Sequence, residues 1–279
     1  MRSAILEHIT IGYDADRPVL QHISFSVQQG VFLSLLGPNG SGKNPLLRLI
    51  DLVFLPQRSD ISLFEQNIKN LKRSEIAKRV GFVPRANAAL FPFTAFEVIL
   101  LGAFPHLRGI GFEGNRGKEI ALEMMEFTDI TVQINPPITS ISGGEWQRAF
   151  ISRALAQQPG LLLLDEPNAQ LDLSHQIDIF TILRRYSKQR RGNVASVSHH
   201  LNLVATFSDR VALLSNGKVF ALSTPPETLI ESNIFNAFRT KVLVDANPVT
   251  HAPRITPLPT DHSSRHRTLS SEVVTHSRG

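Results

Sequence analysis

A glycine-rich stretch at residues 37–43, GPNGSGK, has the residue types and spacing of a loop that binds phosphate groups. Glycine allows the tight backbone turns that point successive N–H groups into one cavity. Lys43 adds a positive charge, and a helix that begins beside it adds the positive end of its dipole. The pattern therefore predicts a site for a triphosphate. The loop residues expected to take part are Gly37, Pro38, Asn39, Gly40, Ser41, Gly42 and Lys43.

Two acidic residues, Asp165 and Glu166, directly follow the apolar run LLLL at residues 161–164. Such a run predicts a buried strand, and ligands of open α/β sheets bind at the carboxyl ends of their strands. At that position Asp165 can orient Mg²⁺ through its water shell, and Glu166 can polarise an attacking water molecule. The alternative is a strand that ends in two solvated acids, but a phosphate loop upstream favours the metal and catalytic roles.

The patterns around these residues predict an α/β fold with a parallel sheet and crossover helices. The apolar run VFLSLLG leads into the phosphate loop, and VASVSHH at residues 194–200 is a further strand beside a helical pattern. Two segments within residues 5–27 predict strands joined by a turn. From about residue 86 to residue 158 helical periods indicate an inserted region. A chain of 279 residues that is 42% hydrophobic can bury one core, or one core with such an inserted subdomain.

The end of the chain differs in composition from the rest. The stretch VALLSNGKVFAL at residues 211–222 predicts a hairpin with an Asn-Gly turn. After about residue 245 the sequence is rich in Pro, Ser, Thr and His, so we expect a poorly ordered tail at residues 246–279, with a few residues of VTHAPRITPLP lying on the body. Its histidines lack regular ligand spacing, which argues against a metal site. They are His251, His262, His266 and His276.

Charge and hydropathy limit the classes of partner. The net charge is +5, and the run RRYSKQRRGN at residues 184–193 holds five basic residues and no acid. It could contact nucleic acid or lipid headgroups, but we interpret it as the solvated end of an amphipathic helix, since no nucleic-acid motif is present. No apolar stretch approaches the roughly 18 residues that span a bilayer, and the N-terminus lacks a signal-peptide pattern. We therefore expect a cytoplasmic protein without transmembrane helices.

A third motif, ISGGEWQRAFISRAL from Ile141, places Ser142, Gly143 and Gly144 before a helix; we call these three residues the signature turn. Together with GPNGSGK, LLLLDEPNAQLD and SVSHHLN in this order, it resembles the ATP-binding subunit of ABC transporters over roughly residues 3–245. The resemblance implies a P-loop NTPase (RecA-like) core, an N-terminal antiparallel β-subdomain and an inserted α-helical signature subdomain. It also implies an ATP-binding domain at residues 1–245, with ATP and Mg²⁺ as cofactors.

The same resemblance implies roles for residues on both sides of a dimer. In a head-to-tail pair, the signature turn of one subunit closes on the γ-phosphate of the ATP that the other subunit binds. Asp172 lies at the dimer seam, and His199 contacts the γ-phosphate. The choice of His199 over His200 depends on its spacing from the preceding strand. Tyr13 is expected to stack on adenine, with a half-buried strand aromatic as the alternative.

Two further stretches narrow the resemblance. Residues 89–109, ALFPFTAFEVILLGAFPHLRG, and residues 242–259 look like ATPase subunits of importers for iron-siderophore complexes, haem and cobalamin. LFPFT and the helix after it are expected to form the groove that receives a coupling helix of the permease, at the cytoplasmic face of the membrane. The implied partners are a second copy of the chain, transmembrane permease subunits and, indirectly, an extracytoplasmic substrate-binding protein.

Three residues depart from the family pattern near the expected metal. The family has Ser or Thr at position 44, where Asn44 offers a neutral amide oxygen to a Mg²⁺ ion beside Asp165. Pro45 lacks the backbone N–H that would contact phosphate, although proline in the first turn leaves the helix intact. Arg85 replaces a glutamine; it cannot bind Mg²⁺ and repels it, but it can pair with phosphate oxygens.

These departures leave two functions open. One is an importer ATPase with impaired Mg²⁺ handling, in which Glu166 and His199 keep the rest of the hydrolytic apparatus. The other is a nucleotide-binding or structural partner in the same kind of complex that hydrolyses ATP slowly or not at all. A soluble ABC protein of translation or repair is less consistent with the sequence, because that class normally has two ATPase cassettes or a long coiled-coil insertion.

Overall fold

The structure is a computed structural model, and it contains two main sheets with helices around the larger one. It describes residues 4–14, 17–50, 60–67, 70–85, 93–106, 115–130 and 142–259. Within these residues, no helix is both long enough and apolar enough to cross a bilayer.

The smaller sheet is antiparallel and lies at the N-terminal part of the chain. Its strands follow the spatial order β2-β1-β4-β5. They are β1 (Ala4–Asp14), β2 (Arg17–Val27), β4 (Asp60–Leu63) and β5 (Gln66–Asn67). The two N-terminal segments predicted as strands pair with each other as β1 and β2. The predicted antiparallel β-subdomain is therefore present.

The larger sheet has the strand order β10-β9-β3-β8-β7-β6, and all its neighbouring strands are parallel except β10 and β9. Its strands are β3 (Phe32–Leu36), β6 (Val80–Val83), β7 (Leu161–Asp165), β8 (Asn193–Val197), β9 (Arg210–Ser215) and β10 (Lys218–Ser223). Every residue of β3, β7 and β8 is buried. Their continuous apolar runs are typical of parallel strands that are covered on both faces.

Nine α-helices lie in the described part of the chain, and several begin at the caps that their sequences predict. They are α1 (Lys43–Ile50), α2 (Arg73–Ala77), α3 (Ala95–Ala103), α4 (Asn115–Phe127), α5 (Gly143–Ala156), α6 (Leu173–Gln189), α7 (Leu201–Phe207), α8 (Pro225–Thr228) and α9 (Glu231–Phe238). Thr94 and Glu97 form a capping box at α3, which a 3₁₀ turn at Phe104–His106 follows. Such boxes satisfy the free N–H groups of the first turn.

Helices α3, α4 and α5 fall within the predicted insertion and pack against one another. The approach of α3 to α5 requires glycine at position 102, because a Cβ atom there would lie 1.9 Å from the carbonyl oxygen of Arg153. One cluster of buried hydrophobic residues includes side chains of α3, α4 and α5 and side chains of the larger sheet. Their division into a separate subdomain at about 86–158 remains a prediction.

The chain after residue 245 is more ordered than its composition suggests. Strand β11 (Val242–Ala246) pairs with β12 (Pro253–Pro257) in an antiparallel hairpin. The side-chain amide of Asn202 on α7 accepts from the N–H of Ile255 at 2.7 Å and donates to its carbonyl oxygen at 3.2 Å. Residues 246–259, which were predicted to belong to the tail, therefore contain regular structure that is tied to the body of the protein. Residues 260–279, where we expect the tail, lie outside the described residues.

The basic run at residues 184–193 forms ion pairs within the protein. Arg184 and Lys188 both pair with Asp209, at 2.5 and 2.8 Å. Asp209 directly precedes β9 and accepts a hydrogen bond from the N–H of Phe32, the first residue of β3. Arg185 pairs with Asp129 and Arg190 pairs with Glu123. Four of the five cations thus balance acids of the same fold, which supports the interpretation of this run as an ordinary helix end.

Candidate functional site

The glycine-rich loop connects β3 to α1, and its conformation requires glycine. Gly40 and Gly42 have φ angles of 79° and 100°, which other residues rarely adopt. A Cβ atom at Gly37 would lie 2.4 Å from the carbonyl oxygen of Leu214 and 2.6 Å from the hydroxyl oxygen of Ser41. The loop is therefore pressed against β9, and it begins at the carboxyl end of a buried parallel strand.

Lys43 lies at the first position of α1 with its side chain buried and folded back over the loop. Its Nζ donates hydrogen bonds to the carbonyl oxygens of Gly37 at 2.8 Å and Pro38 at 2.9 Å. Burial lowers the pKa of Lys43, and the nearby carboxylates of Glu166 and Asp165 partly oppose this change. The lysine and the two acids therefore belong to one electrostatic site.

The loop fits a chain of phosphates. Its left-handed glycines and its lysine provide the geometry and charge that such a group needs. The buried hydroxyl of Ser41 has no hydrogen-bond partner within the described residues, so it is available to a ligand oxygen. The turn of the β9–β10 hairpin supports the loop, because Gly217 donates its N–H to the carbonyl oxygen of Ser41 at 3.2 Å. Asn216 and Gly217 have φ angles of 50° and 71°, as the predicted Asn-Gly turn requires.

Asp165 and Glu166 lie where predicted, at the carboxyl end of β7 and opposite the loop. Glu166 adopts a φ angle of 48°, which turns the chain sharply after the strand. The side-chain amide nitrogen of Asn44 lies 3.4 Å from Oδ2 of Asp165, at the long limit for a hydrogen bond. Mg²⁺ binds oxygen ligands, but Asn44 presents an N–H group to Asp165. As placed, this pair does not fit a magnesium ion.

The carboxylate of Glu166 has a basic partner on each oxygen. Nε2 of His199 lies 2.9 Å from Oε1, and a guanidinium nitrogen of Arg85 lies 3.4 Å from Oε2. The Glu166 side chain is only 11% exposed, whereas that of Arg85 is 55% exposed. His200 instead precedes α7, and burial together with the neighbouring His199 lowers its pKa. The structure thus brings His199, and not His200, to the candidate base.

Proline at position 45 leaves helix α1 intact. The N–H of Leu46 donates to the carbonyl oxygen of Gly42 at 3.1 Å, so the hydrogen-bond ladder of α1 begins immediately after the proline. Pro45 therefore removes no helical bond, in agreement with the analysis of the sequence. Pro45 nevertheless offers no backbone N–H to a phosphate bound by the loop.

The signature turn and Asp172 form a second group of predicted residues. Ser142 caps α5 through a capping box with Glu145, and hydrogen bonds from Ser142 lower the pKa of that glutamate. Asp172 caps α6, where the backbone N–H of His175 and the side chains of His175 and Ser174 lower its pKa to about 2. Tyr13 is close to the end of β1.

His175 is a residue that the sequence analysis missed. Its Nδ1 lies 2.7 Å from Oδ1 of Asp172, and its ring lies so close to Gly144 that a Cβ atom there would be 1.8 Å from the ring carbon Cδ2. It therefore links Asp172 to the signature turn. The only available signal was its position three residues after the helix cap, where a side chain can reach back to the capping acid.

Comparison with known proteins identifies the family. Residues 20–169 match the sequence profile of the family described as ABC transporter. The chain belongs to the ABC transporter family. It is 32% identical to the iron(3+)-hydroxamate import ATP-binding protein FhuC of Bacillus subtilis, over 91% of this chain and 94% of that protein. It is 35% identical to the hemin import ATP-binding protein HmuV of Vibrio parahaemolyticus, over 86% of this chain and 92% of that protein.

A solved structure supports the same assignment. The ATP-binding cassette MJ0796, in a dimeric post-hydrolysis state bound to ADP and Pi, superposes with a TM-score of 0.68 at 27% identity. The match covers 79% of this chain and 98% of that chain. The predicted P-loop NTPase fold, with its parallel sheet and helices, is confirmed. Membership of this family implies that the chain binds ATP.

Proposed function

We propose that this chain is the ATP-binding and ATP-hydrolysing subunit that energises an ABC importer, for iron-siderophore or related metal-chelate uptake. The observation that carries the proposal is the intact loop between β3 and α1, with buried Lys43 facing Asp165 and Glu166. The similarity to import ATP-binding proteins for iron(3+)-hydroxamate and hemin supports the direction of transport and the class of cargo.

The residues of this site divide the work. The loop from Gly37 to Lys43 would hold the triphosphate through backbone N–H groups, the Ser41 hydroxyl and the lysine charge. Glu166 would polarise the attacking water, and His199 would hold Glu166 in place and contact the γ-phosphate. Tyr13 would stack on the adenine ring.

Partners complete the site and place it at a membrane. The signature turn and Asp172 would act on the nucleotide of a second copy of the chain in a head-to-tail dimer. Helix α3 exposes Leu101, and Phe93 and Phe104 at its two ends are also exposed, which gives an apolar surface for a cytoplasmic helix of the permease. The dimer would thus lie at the cytoplasmic face of the membrane, and a substrate-binding protein outside would deliver the cargo.

A hydrolysis-impaired partner in the same kind of complex is the second candidate. One observation favours it: both oxygens of Glu166 already have basic partners, and one of these is Arg85. A water molecule that Glu166 is to activate must compete with these partners for the carboxylate oxygens. In addition, Asn44 and Asp165 do not fit Mg²⁺ as they are placed. We therefore expect slow hydrolysis.

Uptake assays in the source organism test both candidates. Deleting the gene should lower uptake of a labelled ferric siderophore, haem or cobalamin, and the intact gene should restore it. Lys43→Ala should fail to restore uptake, because the loop loses its charge. Glu166→Gln separates the candidates: it should fail if hydrolysis drives transport, and it should succeed if the chain acts by binding alone. Normal uptake of all three cargoes after deletion would refute the proposed function.

A further inference from the structure

Arg85 lies beside Glu166, but the roles proposed above for binding and hydrolysing ATP give it no part. It follows β6, the strand next to β7, and its guanidinium reaches across to Glu166. The side chain remains more than half exposed, so the ion pair leaves other N–H donors open to solvent. A guanidinium has five such donors in a planar fork that matches phosphate oxygens.

We propose that Arg85, together with Lys43, supplies the positive charge that balances a bound triphosphate, so that this site binds nucleoside triphosphate without a divalent cation. The inference rests on the proposed function, because it assumes that the loop binds ATP. It adds that the relevant ligand is the metal-free nucleotide and that Arg85 binds it directly.

The position expected to bind the metal does not favour a cation. Asn44 turns its N–H₂ group towards Asp165, so its side chain presents a donor where a cation would need an oxygen ligand. A hard cation that demands a nearly regular set of oxygen ligands gains little from a neutral amide.

The charges around the site also favour the nucleotide over the metal. Glu166 and Asp165 both act on Lys43, so the lysine, the two acids and the arginine that pairs with Glu166 share one small site. A divalent ion would have to enter beside the Arg85 cation and would be repelled by it. A triphosphate is attracted by the same cation. Arg85 thus opposes the metal and favours the nucleotide.

The side chain of Arg85 is held less firmly than that of Lys43. The Lys43 ammonium is buried and held by two loop carbonyl oxygens, whereas the Arg85 head group is held only by a 3.4 Å ion pair to Glu166 in the described residues. Such an ion pair at a half-exposed side chain is weak and exchanges readily. Arg85 can therefore rotate onto phosphate oxygens, which would also release Glu166 from its cation.

The test is nucleotide affinity of the full chain, measured by titration calorimetry with ATP, either in EDTA or in excess Mg²⁺. For the native chain we expect the two dissociation constants to agree within about threefold. Arg85→Gln should weaken binding in EDTA by roughly tenfold or more, as expected for a lost charge-assisted hydrogen bond, and less in Mg²⁺. Arg85→Lys keeps the charge but lacks the planar fork, so its affinity for ATP in EDTA should lie between those of the native chain and Arg85→Gln.

A charge-matched control is Arg191→Gln. Arg191 is exposed and precedes β8, whereas the loop follows β3; because these strands are parallel, the two lie at opposite ends of the strands. It should leave both affinities unchanged. The inference is overturned if the native chain binds ATP much more tightly with Mg²⁺ than in EDTA, or if Arg85→Gln binds as the native chain does in EDTA. Absence of ATP binding under both conditions would instead refute the proposed function itself.

Discussion

Restoring the family residues beside the loop should raise the rate of ATP hydrolysis. In the double variant Asn44→Ser, Pro45→Thr, position 44 regains a hydroxyl oxygen and position 45 regains a backbone N–H. That N–H has no helical acceptor to compete for it, since the ladder of α1 begins at Leu46. It is therefore free to contact the phosphate chain.

The expected magnitude follows from these contacts. One charge-assisted hydrogen bond contributes roughly 1.5–3 kcal/mol, which corresponds to about a 10- to 150-fold change in rate if it strengthens in the transition state. The lost bond between Asn44 and Asp165, at 3.4 Å, is too long to offset this gain. We expect turnover of the double variant to rise within that range.

Adding Arg85→Gln should raise turnover again, but by less. The ion pair between Arg85 and Glu166 joins a side chain that is 55% exposed to one that is 11% exposed. Solvent screening limits such a pair to about 1 kcal/mol or less, which is roughly a fivefold change. The order of the two effects is itself a prediction: the loop substitutions should act more strongly than the arginine.

The assay is phosphate release from saturating ATP and Mg²⁺ by the purified chain. A matched control is Pro226→Thr, which removes an exposed proline from the first turn of α8, away from the loop. It should change only thermal stability, by the roughly 0.4–1 kcal/mol that a proline contributes through the unfolded chain. Equal turnover in the native and triply substituted chains would show that Asn44, Pro45 and Arg85 are tolerated, and slow hydrolysis would have to be abandoned.

Three further predictions concern packing and pH. Gly144→Ala should lower the melting temperature by several degrees because its Cβ atom would meet the His175 ring, and adding His175→Ala should recover part of the loss. Gly102→Ala should be more damaging, because its Cβ would meet the backbone oxygen of Arg153, which cannot rotate away; chemical denaturation would measure both variants. The depressed pKa of Asp172 stabilises the fold above about pH 4, and this contribution is lost as the pH falls towards 2. Asp172→Asn should therefore flatten melting temperature against pH in that window, and an unchanged profile would contradict the assignment.

Local sequence signals predicted most of the scaffold that holds the nucleotide loop. Gly40 and Gly42 indicate left-handed backbone, and an Asn-Gly pair predicts the β9–β10 turn. Four consecutive leucines predict a strand that is buried on both faces. Each of these signals concerns neighbours in the chain and depends on backbone sterics or burial. Such preferences survive folding because tertiary contacts reinforce them.

Contacts between distant segments could not be predicted from the sequence. The sequence predicted Arg85 near the metal and the phosphates, but it did not predict the ion pair of Arg85 with Glu166, which depends on the adjacency of β6 and β7. The C-terminal hairpin was missed for a similar reason. Its composition is poor in large apolar residues, and it is tied to the body through Asn202 and Ile255, a link that no local pattern reveals.

Asn44, Pro45 and Arg85, the three unusual residues of the site, have opposing effects on its positive charge. Asn44 and Pro45 weaken the site for a divalent cation and remove one phosphate donor, whereas Arg85 adds a cation beside Glu166. Lys43 and the glycines, which would bind the phosphates, keep the residue types and the loop contacts of the family. Under the proposal of metal-free binding, the changes therefore compensate in affinity. They do not compensate in rate, because a guanidinium binds no water or oxygen ligand as a metal does and cannot replace the charge stabilisation that a divalent cation supplies in the transition state.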